Sequence, residues 1–140
     1  MLGGRHVRRF RMPSRREAVA PTVDRILKAV EGAGLDHEQR QDLAVAVGEA
    51  LSNAAVHGNG LRHGSQVLIS VAVTPRTGAC VEVKDSGPGF DPRSVHDPTD
   101  PLRVLSPGGR GLFLMHRLVD EVEFSPSGNR VRLTMRTRRG

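Results

Sequence analysis

The 140-residue sequence holds one cysteine, no tryptophan, no tyrosine, four phenylalanines and no acidic residue in its first sixteen positions. Each absence excludes something. A lone Cys80 cannot form an internal disulfide, which fits a reducing compartment, and within a strand-like run it reads as a buried, inert thiol. With aromatics at 3%, the stacking platforms that read single-stranded nucleic acid are missing. No apolar stretch approaches the roughly 20 residues that cross a bilayer, so no membrane association is expected. The start, Met1-Leu2-Gly3-Gly4-Arg5, lacks the apolar core of a secretory signal, and a cytoplasmic location is expected. The six histidines never fall at metal-site spacing, and no Gly-x-Ser-x-Gly elbow supports hydrolase chemistry.

The formal net charge of +6 is lopsided: residues 1–16 carry six arginines, and the remaining 124 balance 15 basic against 15 acidic side chains. Arg130, Arg132 and Arg136 alternate with Val131, Leu133 and Met135 near the other end, as on the wet face of an edge strand. This distribution points to a solvated face or an acidic protein partner rather than to direct nucleic-acid binding.

The length suits one domain spanning residues 1–140. Phe10 and Met12 alternate with arginines in a first strand that ends at Pro13. Ser14-Arg15-Arg16-Glu17 has the form of a capping box, opening a helix with Val19, Val23, Ile26, Leu27 and Val30 at helical spacing; Pro21 implies a kink or a later start. A second helix is expected from Asp36, with Gln39 three residues on, to about His57. Strands follow around 67–73 and 81–84, then a proline-rich stretch over 90–108 that reads as a lid. A helix over 111–119 and a hairpin of 121–124 with 131–135 close the chain. Because the strands alternate, the sheet is dry on one face only. The expected fold is therefore an α/β two-layer sandwich, a mixed, mostly antiparallel sheet with all helices on one face.

Three clusters carry chemistry. Glu49-x-x-x-Asn53 places a carboxylate and an amide one turn apart on one helix face. That pair suits a general base beside a magnesium ligand, though an ordinary solvated helix face has the same pattern. Asp85-Ser86-Gly87-Pro88-Gly89 after a strand is either a turn or a buried carboxylate that accepts from the amine of adenine, with glycines admitting the base. Gly108-Gly109-Arg110-Gly111 before a helix offers free amides to phosphates, or is a hinge. It is neither a Walker loop nor a dinucleotide fingerprint.

Taken in order, Glu49 to Gly58, Asp85 to Gly89 and Gly109 to Gly111 resemble the N, G1 and G2 boxes of the GHKL ATPase superfamily, whose nucleotide site is the Bergerat fold. Within it the chain is most similar to bacterial anti-sigma-factor serine kinases, a likeness that extends to Asp97-Pro-Thr-Asp-Pro101, Gly111-Leu-Phe-Leu-Met115, Asp120-Glu-Val122 and Gly128-Asn129. The resemblance implies ATP and Mg2+ as cofactors, Glu49 as catalytic base, Asn53 as magnesium ligand and Asp85 as adenine contact. It also implies nucleotide contacts from His57, Gly87, Gly89, Gly109, Arg110, Gly111 and Leu112. It further implies a homodimer that holds a sigma factor away from RNA polymerase and phosphorylates a serine of an antagonist protein. Histidine kinases share these boxes but add a dimerisation helix pair for which 140 residues leave no room. The arginine-rich N-terminal arm and Arg110 depart from the best-known members. A different class of function, an ATP-sensing protein-binding module without phosphotransfer, uses every one of these residues except Glu49.

Overall fold

Alternation along the strands decides which side of the sheet is dry. In a computed structural model, which describes residues 5–87 and 109–138, the strands are β1 (His6–Pro13), β2 (Gln66–Thr74), β3 (Gly78–Lys84), β4 (Glu121–Phe124) and β5 (Arg130–Arg136). They form one sheet in the order β1-β2-β3-β5-β4, and every neighbouring pair is antiparallel. The expected mixed sheet is thus antiparallel throughout the described residues. The register stacks Phe10 on Ile69, Ile69 on Val83 and Val83 on Val131; one step along, Val71 pairs with Val81 and Val81 with Leu133. All these apolar partners share one face.

The helices α1 (Val19–Ala29), α2 (His37–Ser52) and α3 (Gly109–Leu118) cover that face. Ile26 of α1, Leu43, Val47 and Leu51 of α2 and Met115 of α3 join the strand residues in a single buried cluster. This is the two-layer arrangement expected, with the core between sheet and helices. None of the described helices is long and apolar enough to cross a membrane.

The outer face carries the charge. Arg9, Ser70, Glu82, Arg132 and Glu123 lie in one row across all five strands, and Arg130 and Arg132 approach Glu82 at 3.4 and 3.3 Å. The arginines of β5 are on the wet face as expected, but β5 is not an edge strand: it lies between β3 and β4. Alternation reports which face is wet and is blind to whether another strand follows. Cys80, expected to be buried, is half-buried on this outer face beside Thr134. Desolvation raises its pKa, which keeps it a thiol.

Helix starts separate local from distant competition. Asp36 accepts from the Gln39 N–H at 2.8 Å, and Gln39 returns its Oε1 to the Asp36 N–H at 3.2 Å. This capping box also docks on the sheet, because Gln39 Nε2 donates to the Arg136 carbonyl at 2.6 Å. The box expected at Ser14 does not form. Ser14 is buried and its hydroxyl accepts from Asn59 Nδ2 at 2.9 Å, so a 3-10 turn over Arg16–Ala18 leads into α1 instead. Pro21 falls in the first turn of α1, where its missing N–H has no intrahelical partner to lose.

Candidate functional site

Glu49 and Asn53 lie four residues apart at the end of α2, and both are half-buried. Helical geometry turns them to one side, and the first turn of α3 lies against that side. Gly111 makes the contact: a Cβ built on it would stand 3.1 Å from Asn53 Nδ2 and 3.1 Å from Glu49 Oε2. Glycine leaves the two polar groups their room. Gly109 and Arg110 are the first residues of the same helix, and Leu112 packs partly buried against the core. The first turn of α3, whose N–H groups have no intrahelical partners, therefore lies beside a carboxylate and an amide, a combination suited to phosphate with its counter-ion.

Asn53 is also where the winding changes. The helix expected to run to His57 is α-helical only to Ser52; Asn53–Gly58 is wound as a π-helix. The Asn59 N–H donates five residues back to the Ala54 carbonyl at 2.8 Å. Such wide turns are rare and concentrate at functional positions. The segment passes through His57, which is exposed, and ends at Gly58.

Gly58 meets the second cluster. Asp85 follows β3, and its backbone is held on both sides: its N–H donates to the Asn129 carbonyl at 2.9 Å, and the Ser86 N–H donates to Asn59 Oδ1 at 2.7 Å. The Gly87 N–H donates to Asp85 Oδ1 at 2.8 Å. A Cβ on Gly58 would overlap the Asp85 carboxyl, and one on Gly87 would overlap the Gly58 carbonyl. The loop can lie this close to the π-wound segment only because both positions are glycine. Among the described residues Asp85 Oδ2 has no donor, which leaves it able to accept from a ligand. Burial pushes the Asp85 carboxyl above its usual range, and the Gly87 N–H pulls the other way.

Asp85 at a strand end and Glu49 and Asn53 beside the start of α3 are thus tied to the two ends of one segment, Asn53–Gly58. Residues 12–135 match the profile of the family described as histidine kinase-like ATPase domain. The chain belongs to that family. Among similar proteins, the serine-protein kinase RsbW of Oceanobacillus iheyensis is 26% identical over 122 residues, covering 83% of this chain and 77% of the relative. RsbW of Bacillus velezensis is 32% identical over 108 residues, 72% of this chain and 67% of the relative. This is the GHKL-type ATPase fold and kinase kinship that the three boxes resembled, and an ATPase domain implies ATP binding.

Within this ATPase domain the candidate residues fall into two groups, Glu49 and Asn53 with Gly111, and Gly58 with Asp85 and Gly87, joined by the π-wound segment. Gly89 and the expected lid over 90–108 lie outside the described residues. One residue was missed in reading the sequence. Asn59 is 2% exposed and tied to the Asp85 loop, yet its sole signal in the sequence is an asparagine directly behind a helix-end glycine, which reads as loop.

Proposed function

We propose that this chain is an ATP-dependent protein serine kinase and anti-sigma factor, which holds a sigma factor and phosphorylates a serine of the antagonist protein. The names of its relatives support this reading, and the observation that carries it is the approach of Gly111 to Glu49 and Asn53. That contact sets a base and a metal-ligand amide beside the helix end suited to phosphates. Glu49 takes the proton of the incoming serine hydroxyl as its oxygen attacks the γ-phosphorus, and the bond to the leaving ADP oxygen breaks. Asn53 fits magnesium, an ion that takes one or two protein oxygens and completes its shell with water and phosphate. When bound, the ion neutralises phosphate charge. Asp85 accepts from the adenine amine, and Gly87, Gly89, Gly109, Arg110, Gly111, Leu112 and His57 line the nucleotide. We place residues 90–108 as the lid of a single 1–140 domain acting as a cytoplasmic homodimer.

Incubation with γ-labelled ATP, magnesium and the antagonist tests the reading. Label on a serine of the antagonist is expected. Tight nucleotide binding without label would favour the ATP-sensing module that transfers nothing.

A further inference from the structure

Asn59 sits where three distant segments converge. Its Nδ2 donates to Ser14 Oγ at 2.9 Å and to the Gln66 carbonyl at 3.0 Å, and its Oδ1 accepts from the Ser86 N–H at 2.7 Å. Those are the end of β1, the start of β2 and the loop after β3. The partners dictate the amide's orientation: a peptide N–H can only donate and a peptide carbonyl can only accept, so a flipped amide would face both with like groups. Ser14 is itself held, its N–H donating to the Ser65 carbonyl at 3.1 Å. The amide is thus anchored on the sheet and reaches the loop through one bond.

Ser86 lies between Asp85 and Gly87, and Asp85 is gripped on its other flank by Asn129. With Asn59 in place the loop is clamped on both sides, and the carboxylate it carries has one direction in which to present Oδ2. We propose that Asn59 is a positioning residue that sets adenine specificity: it touches no nucleotide, and acts by fixing the main chain at Ser86 so that Asp85 meets an amine and rejects a carbonyl. Adenine offers a donor at the position where guanine offers an acceptor, and a carboxylate discriminates between them only while it cannot swing away. The inference rests on the nucleotide-binding reading of Asp85.

The test uses the full chain and titrations of ADP and GDP with magnesium, alongside thermal unfolding. Asn59→Ala should lower ADP affinity about tenfold and shrink the preference for ADP over GDP, the effect of losing one positioned hydrogen bond. Asn59→Asp retains the acceptor for Ser86 but loses both donors. It should lower the melting temperature yet keep most of the ADP preference, a split that a purely structural role does not produce. In the wild type, the Ser86 amide should exchange with solvent more slowly than a free loop amide, a measurement independent of whether the variants fold. A folded Asn59→Ala with wild-type ADP affinity and preference, or a Ser86 amide that exchanges freely, overturns the inference. If Asp85→Asn loses ADP while Asn59→Ala does not, only the positioning role fails; if the wild type binds no ADP, the nucleotide reading itself fails.

Discussion

The two ends of the π-wound segment Asn53–Gly58 are built by opposite means. At the Asn53 end, Glu49 and Asn53 share a helix face, and a regular spacing of four residues does the work. At the Gly58 end nothing is regular: the Asp85 loop is held by Asn59 and Asn129 and by two glycines, one making room for the Asp85 carboxyl and the other for the Gly58 carbonyl. One end is specified by local geometry and the other by contacts between residues tens of positions apart. Substitutions at the first end should therefore damage chemistry with little loss of fold, and those that add bulk where the second end packs should damage binding and fold together.

The largest effect is expected at the local end. Asn53→Ala should reduce phosphate transfer on the order of a hundredfold, the scale of removing one group that stabilises transferring charge, and should weaken ATP binding in magnesium while leaving the melting temperature within a few degrees. Single-turnover transfer and calorimetry measure the two. A variant that binds magnesium-ATP as the wild type does would remove Asn53 from the metal.

Gly58→Ala probes the other end. Its new Cβ overlaps the Asp85 carboxyl, so the loop must shift, at a cost of about 1–3 kcal/mol in folding stability, together with a loss of ADP affinity. Gly111→Ala sharpens the contrast, because its Cβ meets only the ends of two side chains, each at 3.1 Å. Chemical denaturation should show Gly58→Ala clearly less stable than Gly111→Ala. Equal stabilities would mean that the close approach at Gly58 is not needed.

Asp85→Asn should lower ADP affinity about tenfold by mispairing the adenine amine, yet act oppositely on the free protein. Burial holds the Asp85 carboxyl above its unfolded value, so the folded chain binds this proton more readily than the unfolded one. Its contribution to stability is full below the unfolded pKa of about 4 and is lost as pH rises through the folded one. At neutral pH the ionised carboxylate is a burden that asparagine lacks, and Asp85→Asn should melt higher than wild type there, with the gap closing on acidification. A lower melting temperature at neutral pH would contradict the burial assigned to Asp85.

Much of the fold was legible because it rests on patterns one or two turns long. The alternation of Val67, Ile69, Val71 and Val73 gave the dry face, Asp36 with Gln39 gave the start of α2, and the position of Asp85 after β3 could be read directly. What escaped depends on distant competition. Ser14 has the form of a cap, but Asn59, 45 positions away, takes its hydroxyl. Arg130, Arg132 and Arg136 alternate as an edge strand does, but β4 pairs beyond them. The segment from Asn53 to Gly58 is π-wound and Gly58 packs on the Asp85 carboxyl, neither of which helical spacing reveals.

The smallest effect belongs to the outer face. Glu82→Gln removes the acid shared by Arg130 and Arg132, and since exposed ion pairs are screened it should change stability by less than about 1 kcal/mol and leave ADP affinity unchanged. A marked fall in ADP affinity would tie the wet face to the site.

The most direct measurement follows phosphate from ATP to the antagonist's serine by mass spectrometry, with wild type and Glu49→Ala each saturated with magnesium-ATP. The wild type should phosphorylate the serine, and Glu49→Ala should be slower by a factor on the order of 10² to 10⁴ at nearly unchanged nucleotide affinity. Transfer by Glu49→Ala at the wild-type rate would contradict the base assignment, and no transfer by the nucleotide-bound wild type would contradict the kinase reading itself.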